Sequence, residues 1–164
     1  MIEIHPLTAI GEVRPGDDLV AILGHALAAA GVGALRADDV LVVTQKIVSK
    51  AEDRIVDLRG IAPGEEARRL AETTRKDPRL VELVLRESTA VVRAAPHVLI
   101  TRHRSGHVMA NAGIDRSNIG EHHGEAALLL PVDADISAVQ LRCGLAARFG
   151  IAPAVLISLS FGRP

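Results

Sequence analysis

The feature that most constrains the fold is Val40-Leu41-Val42-Val43-Thr44, an unbroken apolar run entered through Asp38-Asp39. A strand with one wet face alternates apolar and polar residues, whereas a run without alternation is the pattern of a strand covered on both faces. Residues 154–158 read as a second buried strand of the same kind. Ile2-Glu3-Ile4-His5 does alternate, which predicts a half-buried strand over residues 1–6. Thr8-Ala9-Ile10-Gly11 then reads as a loop.

Helical patterns separate these runs. Pro15-Gly16-Asp17-Asp18 is a helix start, with carboxylates facing the positive end of the helix dipole. Apolar residues at Leu19, Ile22, Leu23, Ala26 and Leu27 predict a helix over 19–30 that stops at Gly31. Further helices are predicted over 63–76, 77–88 (with Pro78 in the first turn) and 133–149. Short strands are predicted over 54–58, 89–94 and 98–102, and Arg104-Ser105-Gly106 turns the chain back toward Val108. Strands and helices interleave without a strict strand-helix-strand period. The expected fold is therefore α/β in the mixed α+β sense, a mixed sheet with flanking helices in one domain over residues 1–164. Neither a Gly-rich dinucleotide fingerprint nor a P-loop occurs, so a nucleotide would be held some other way. After the strand at 154–158 the chain ends in Gly-Arg-Pro, and the sheet is expected to be incomplete there.

Composition narrows the function. A net charge of -1, two Phe and no Trp or Tyr give no basic field and no stacking surface, which argues against nucleic acid. Cys143, the single cysteine, sits among apolar neighbours and reads as a buried bystander thiol. No signal segment and no run of membrane-spanning length is visible, so a cytoplasmic setting is expected.

Two stretches carry chemistry. Val108-Met109-Ala110-Asn111-Ala112-Gly113-Ile114-Asp115-Arg116-Ser117-Asn118-Ile119 runs from apolar to small residues and then crowds a carboxylate, a hydroxyl and an amide into four positions. Such oxygen ligands suit hard cations, while the same residues also serve as turn chemistry and helix caps. Thr44-Gln45-Lys46-Ile47-Val48-Ser49-Lys50-Ala51-Glu52 leaves a strand with lysines four apart, so one helical turn brings both to one side, for phosphates or for solvent. His122-His123 reads as surface because adjacent side chains diverge. His103 and His107 read as cross-strand polar surface flanking a turn. Asp17-Asp18, Asp38-Asp39, Asp133 and Asp135 sit where caps and turns want carboxylates.

These stretches, with Pro6-Leu7-Thr8, Pro15-Gly16-Asp17-Asp18-Leu19, Leu128-Leu129-Leu130-Pro131, Ile157-Ser158 and Phe161-Gly162-Arg163-Pro164, occur in an order that resembles the coenzyme F420-0:L-glutamate ligase family, the F420 gamma-glutamyl ligases. The resemblance covers residues 2–164 and about the first two-thirds of a typical member. It implies the family's fold and a GTP-dependent ligase that joins L-glutamate to the deazaflavin precursor coenzyme F420-0 through an acyl phosphate. It implies Mg2+ or Mn2+, with potassium as a further candidate ion, and a homodimer. The apolar strand at 154–158, which wants covering, puts Val155 and Ile157 near that contact or near a gap left by a missing segment. By the same resemblance Asp115 holds metal and Asn118 touches nucleotide. Gln45, Lys46 and Lys50 line the phosphate side, and Thr8, Ala9, Ile10 and Gly11 form the first nucleotide loop. The chain departs from the family where Leu159, followed by Ser160, stands in place of an aspartate that is a metal ligand. Ala9 and Gly11 also replace a more usual glycine and proline. A homologue that binds nucleotide or a partner without chemistry is the alternative that Leu159 favours.

Overall fold

The computed structural model describes residues 2–31, 35–117, 125–150 and 152–159. In chain order the elements are α1 (Leu19–Ala29), β1 (Val40–Thr44), α2 (Gln45–Ala51), β2 (Ile55–Asp57), α3 (Glu65–Thr74) and α4 (Pro78–Arg86). There follow β3 (Ser88–Ala95), β4 (Val98–His103), β5 (Val108–Ala110), β6 (Ala126–Leu128), α5 (Ala134–Phe149) and β7 (Ala154–Ser158). The class is the expected mixture of α and β, with several small sheets. The chain divides into two compact units, one built from Met1–Arg54 and Pro131–Leu159, the other mainly from Ile55–Leu130.

In the first unit, β1 and β7 pair in parallel with Val40 opposite Ala154 and Thr44 opposite Ser158. Asp18 caps α1 by accepting from the Ala21 amide at 3.0 Å, and this bond holds its carboxyl below the usual range. Asp133 caps α5 in the same way through Ile136. Leu41 and Val43 of β1 pack with Leu19 and Leu23 of α1, Val48 of α2, and Leu141 and Leu145 of α5. Val155 and Ile157 lie against that same core.

Four expectations are corrected here. Burial in β1 alternates, leaving Val40 and Val42 each 60% exposed, and β7 exposes Leu156. The register explains it: Val42 and Leu156 are partners on one face of a two-stranded sheet, and all three helices in the core contact the other. An apolar run shows that both faces can be buried, not that both are. Val155 and Ile157 consequently face the core rather than an outer contact. Residues 2–6 form no strand, with Ile2 and Ile4 about nine-tenths exposed, because period-two alternation needs a neighbouring strand and no described strand pairs with them. Cys143 is exposed. It lies two positions from both Leu141 and Leu145, roughly 200° around the helix from each, while those two share the buried face.

The second unit holds an antiparallel β2–β6 pair and an antiparallel sheet in the order β3-β4-β5. Asp77 caps α4 through the Arg79 amide, with Pro78 in the first turn as expected. Leu80, Val81, Leu83 and Val84 of α4 pack with Leu70 of α3 and Leu99 of β4. His103 is 2% exposed, which corrects its reading as surface. It continues the inward series Leu99, Thr101, His103 along β4, a period-two pattern in which the flanking turn residues carried no vote.

Candidate functional site

The first unit carries the basic and loop residues. Leu7 and Ile10 pack against its core, while Thr8, Ala9 and Gly11 are turned outward, so the 8–11 segment is a backbone-rich loop pinned at two apolar points. Thr44 caps α2, and Lys46 and Lys50 follow on that helix at the four-residue spacing that puts them on one side. Lys50 is largely sheltered, and its Nζ lies 3.8 Å from Glu12 Oε1. That is the outer limit of an ion pair. Gln45 is buried, and its Oε1 accepts from Ser49 Oγ at 2.9 Å, so its carbonyl stiffens α2. Leu159 is half-buried in this unit and offers no ligand oxygen.

Asp115 belongs to the second unit. Its amide donates to Leu128 O at 3.0 Å, and its carbonyl accepts from Leu128 N at 2.8 Å. Its carboxylate accepts from Ser117 N at 2.8 Å and from Ser117 Oγ at 2.9 Å. The turn chemistry is thus present. No group of three or more His, Cys, Asp or Glu side chains placed to hold a metal occurs among the described residues. Mg2+ is commonly held by one or two carboxylates together with substrate phosphates and water rather than by a protein cage. Asp115 is the carboxylate of this loop among the described residues. Asn118, His122, His123 and Ser160 lie outside the described residues.

Sequence reasoning missed what precedes Asp115. Asn111, Ala112 and Gly113 all have positive φ, at 51°, 52° and 73°. A Cβ on Gly113 would lie 2.8 Å from Met109 Sδ and 2.9 Å from Leu130 Cδ1, so glycine is required for space as well as for its backbone. The Asn-Ala-Gly succession was the available signal, because Asn and Gly are the residues that tolerate this conformation. The sequence sets His103 and His107 on either side of the turn, but it did not show that Ser105 joins them or that Arg104 reaches Glu87. Ser105 Oγ lies 2.8 Å from His103 Nδ1 and 3.0 Å from His107 Nδ1, and Arg104 donates to Glu87 at 2.9 Å.

The sequence profile described as F420-0:Gamma-glutamyl ligase matches residues 8–164. The Coenzyme F420:L-glutamate ligase of Methanopyrus kandleri is 40% identical over 99% of this chain and 61% of its own length. The protein of the same name from Methanothermobacter thermautotrophicus is 41% identical over 93% of the chain and 59% of its own. That from Halobacterium salinarum is 42% identical over 93% and 57%. The chain spans about three fifths of the length of the curated relatives it matches. No helix among the described residues is long and apolar enough to cross a membrane.

Proposed function

Since the chain belongs to the F420-0:gamma-glutamyl ligase family, we propose that it serves GTP-dependent addition of L-glutamate to coenzyme F420-0. GTP transfers its terminal phosphoryl group to a carboxylate of the deazaflavin precursor, giving an acyl phosphate and GDP. The amine of glutamate attacks the acyl carbon, loses a proton and expels phosphate, leaving an amide. Lys46 and Lys50 offset charge on the phosphates, and the loop of Thr8, Ala9, Ile10 and Gly11 contacts the nucleotide, as does Asn118. Gln45 backs the lysines from inside α2. Asp115 holds Mg2+ or Mn2+, which when bound neutralises phosphate charge and polarises the reacting oxygen. Potassium is a further candidate ion. The active protein is a homodimer of the cytoplasm acting on small molecules.

One observation carries this reading: the family match includes a carboxylate, Asp115, whose backbone is tied on both sides to Leu128. A backbone fixed in this way holds the carboxylate in one place, which supports its use as a metal ligand. Leu159 supports a second reading, in which nucleotide binds but no amide forms. Losing one carboxylate removes a ligand and a neutralising charge together. Incubation with GTP, Mn2+, L-glutamate and coenzyme F420-0, followed by mass spectrometry, tests both. A product one glutamate heavier supports the ligase. With Leu159 in place the expected product is weak, and absent product with retained GTP binding selects the second reading. Absence of both product and GTP binding would overturn the reading.

A further inference from the structure

Between Ala110 and Asp115 the chain changes sheets. Ala110 ends β5 and pairs with Ile100 of β4, whereas Asp115 bridges to Leu128 at the end of β6. The switch is made by the left-handed residues Asn111, Ala112 and Gly113, closed by the Ile114 amide donating to Asn111 O at 3.0 Å. Ala112 is fully buried and Ile114 nearly so, which fixes the turn from both ends. The Oδ1 atom of Asn111 is buried without a hydrogen-bond partner. Asparagine there is thus not explained by a hydrogen bond accepted by that oxygen. Its tolerance of positive φ does explain it, because β-branched residues and most others resist that region. Sparsely populated backbone persists only where surrounding structure imposes it, and it clusters where a functional group must be aimed.

We propose that Asn111 and Gly113 are positioning residues, which aim the Asp115 carboxylate by holding the chain left-handed at the change of sheet. The inference rests on the reading of Asp115 as a metal ligand. It extends that reading to residues that touch no ligand themselves. Their contribution is backbone conformation, so the property to preserve is φ rather than the carboxamide.

The test is Mn2+ affinity, followed by electron paramagnetic resonance of the free ion with GTP present and measured against GTP alone, alongside thermal melts. Asn111→Gly keeps the left-handed backbone and should bind Mn2+ within about twofold of the natural chain, whereas Asn111→Val should weaken binding about tenfold or more while still melting cooperatively. Should Asn111→Val fail to fold, Asn111→Ala replaces it, with a loss of about three- to fivefold expected from the milder φ penalty. Full affinity in Asn111→Val, or equal loss in Asn111→Gly and Asn111→Val, would overturn the inference and leave Asp115 untouched. Asp115→Ala should bind no Mn2+. Natural affinity in that variant, or no binding by the natural chain, would overturn the metal reading and this inference with it.

Discussion

At the scale of single residues, His103 makes a stability statement. Ser105 N donates to its Nδ1 at 3.1 Å, so Nε2 carries the proton of the neutral ring. Nε2 lies 3.7 Å from Glu87 Oε2, an electrostatic contact too long for a hydrogen bond. Burial pushes the imidazole below its ordinary value, Glu87 opposes that shift, and Arg104 adds to it. Between the lowered folded value and about 6.5 the unfolded chain binds the extra proton. The contribution of neutral His103 is therefore complete above about pH 6.5 and is lost as pH falls from there through the folded value. Urea titrations at descending pH should show that slope, and His103→Leu should flatten it. An unchanged slope in the variant would show that other groups set the acid sensitivity. His103 points inward because β4 extends one residue past the expected strand at 98–102, so the alternation of Leu99 and Thr101 reaches it. The turn at Asp115 was legible because Ser117 lies two positions on, whereas the left-handed turn before it depends on which sheet the chain must join next.

Among elements, α1 and α5 approach closely at two glycines. A Cβ on Gly144 of α5 would lie 2.5 Å from Val20 Cγ2, and one on Gly24 of α1 would lie 2.2 Å from the tip of Phe149. The two sites differ in how readily the neighbour yields. Valine in a helix is held near one rotamer, while the Phe149 ring is 45% exposed and swings aside. Replacing Gly144 by Ala gains about 1 kcal/mol of helix propensity but incurs overpacking of about 1–3 kcal/mol. A net loss of stability is expected for Gly144→Ala, relieved by a second change Val20→Ala. Gly24→Ala should be close to neutral. Chemical denaturation of the three variants checks the ordering, and a stabilised Gly144→Ala would show that Val20 moves freely. Helices were the most legible elements because caps and periodicity are local: Asp18, Asp77 and Asp133 each cap the helix that the sequence placed after them. Strand coverage was not legible, since Val40 and Val42 differ from Leu41 and Val43 only in what lies opposite.

For the whole molecule, the outer face of the β1–β7 sheet carries Val40, Val42 and Leu156, each at least half exposed. Contiguous apolar area of that kind favours association. Light scattering at micromolar concentration should report a dimer or larger species, and Val42→Glu with Leu156→Glu should shift it toward monomer. A clean monomer for the natural sequence would refute this expectation. The pairing of β1 with β7 has another consequence, for how the protein is made. Its partners stand more than a hundred positions apart, and the second unit occupies the stretch between them. During synthesis all of residues 55–130 are made before β7, and β1 waits unpaired until β7 has followed them. Contacts of such long range are slow to close. The nascent chain therefore passes through an interval in which its most apolar strand is its most vulnerable, and translation pauses after residue 130 would lengthen that exposure.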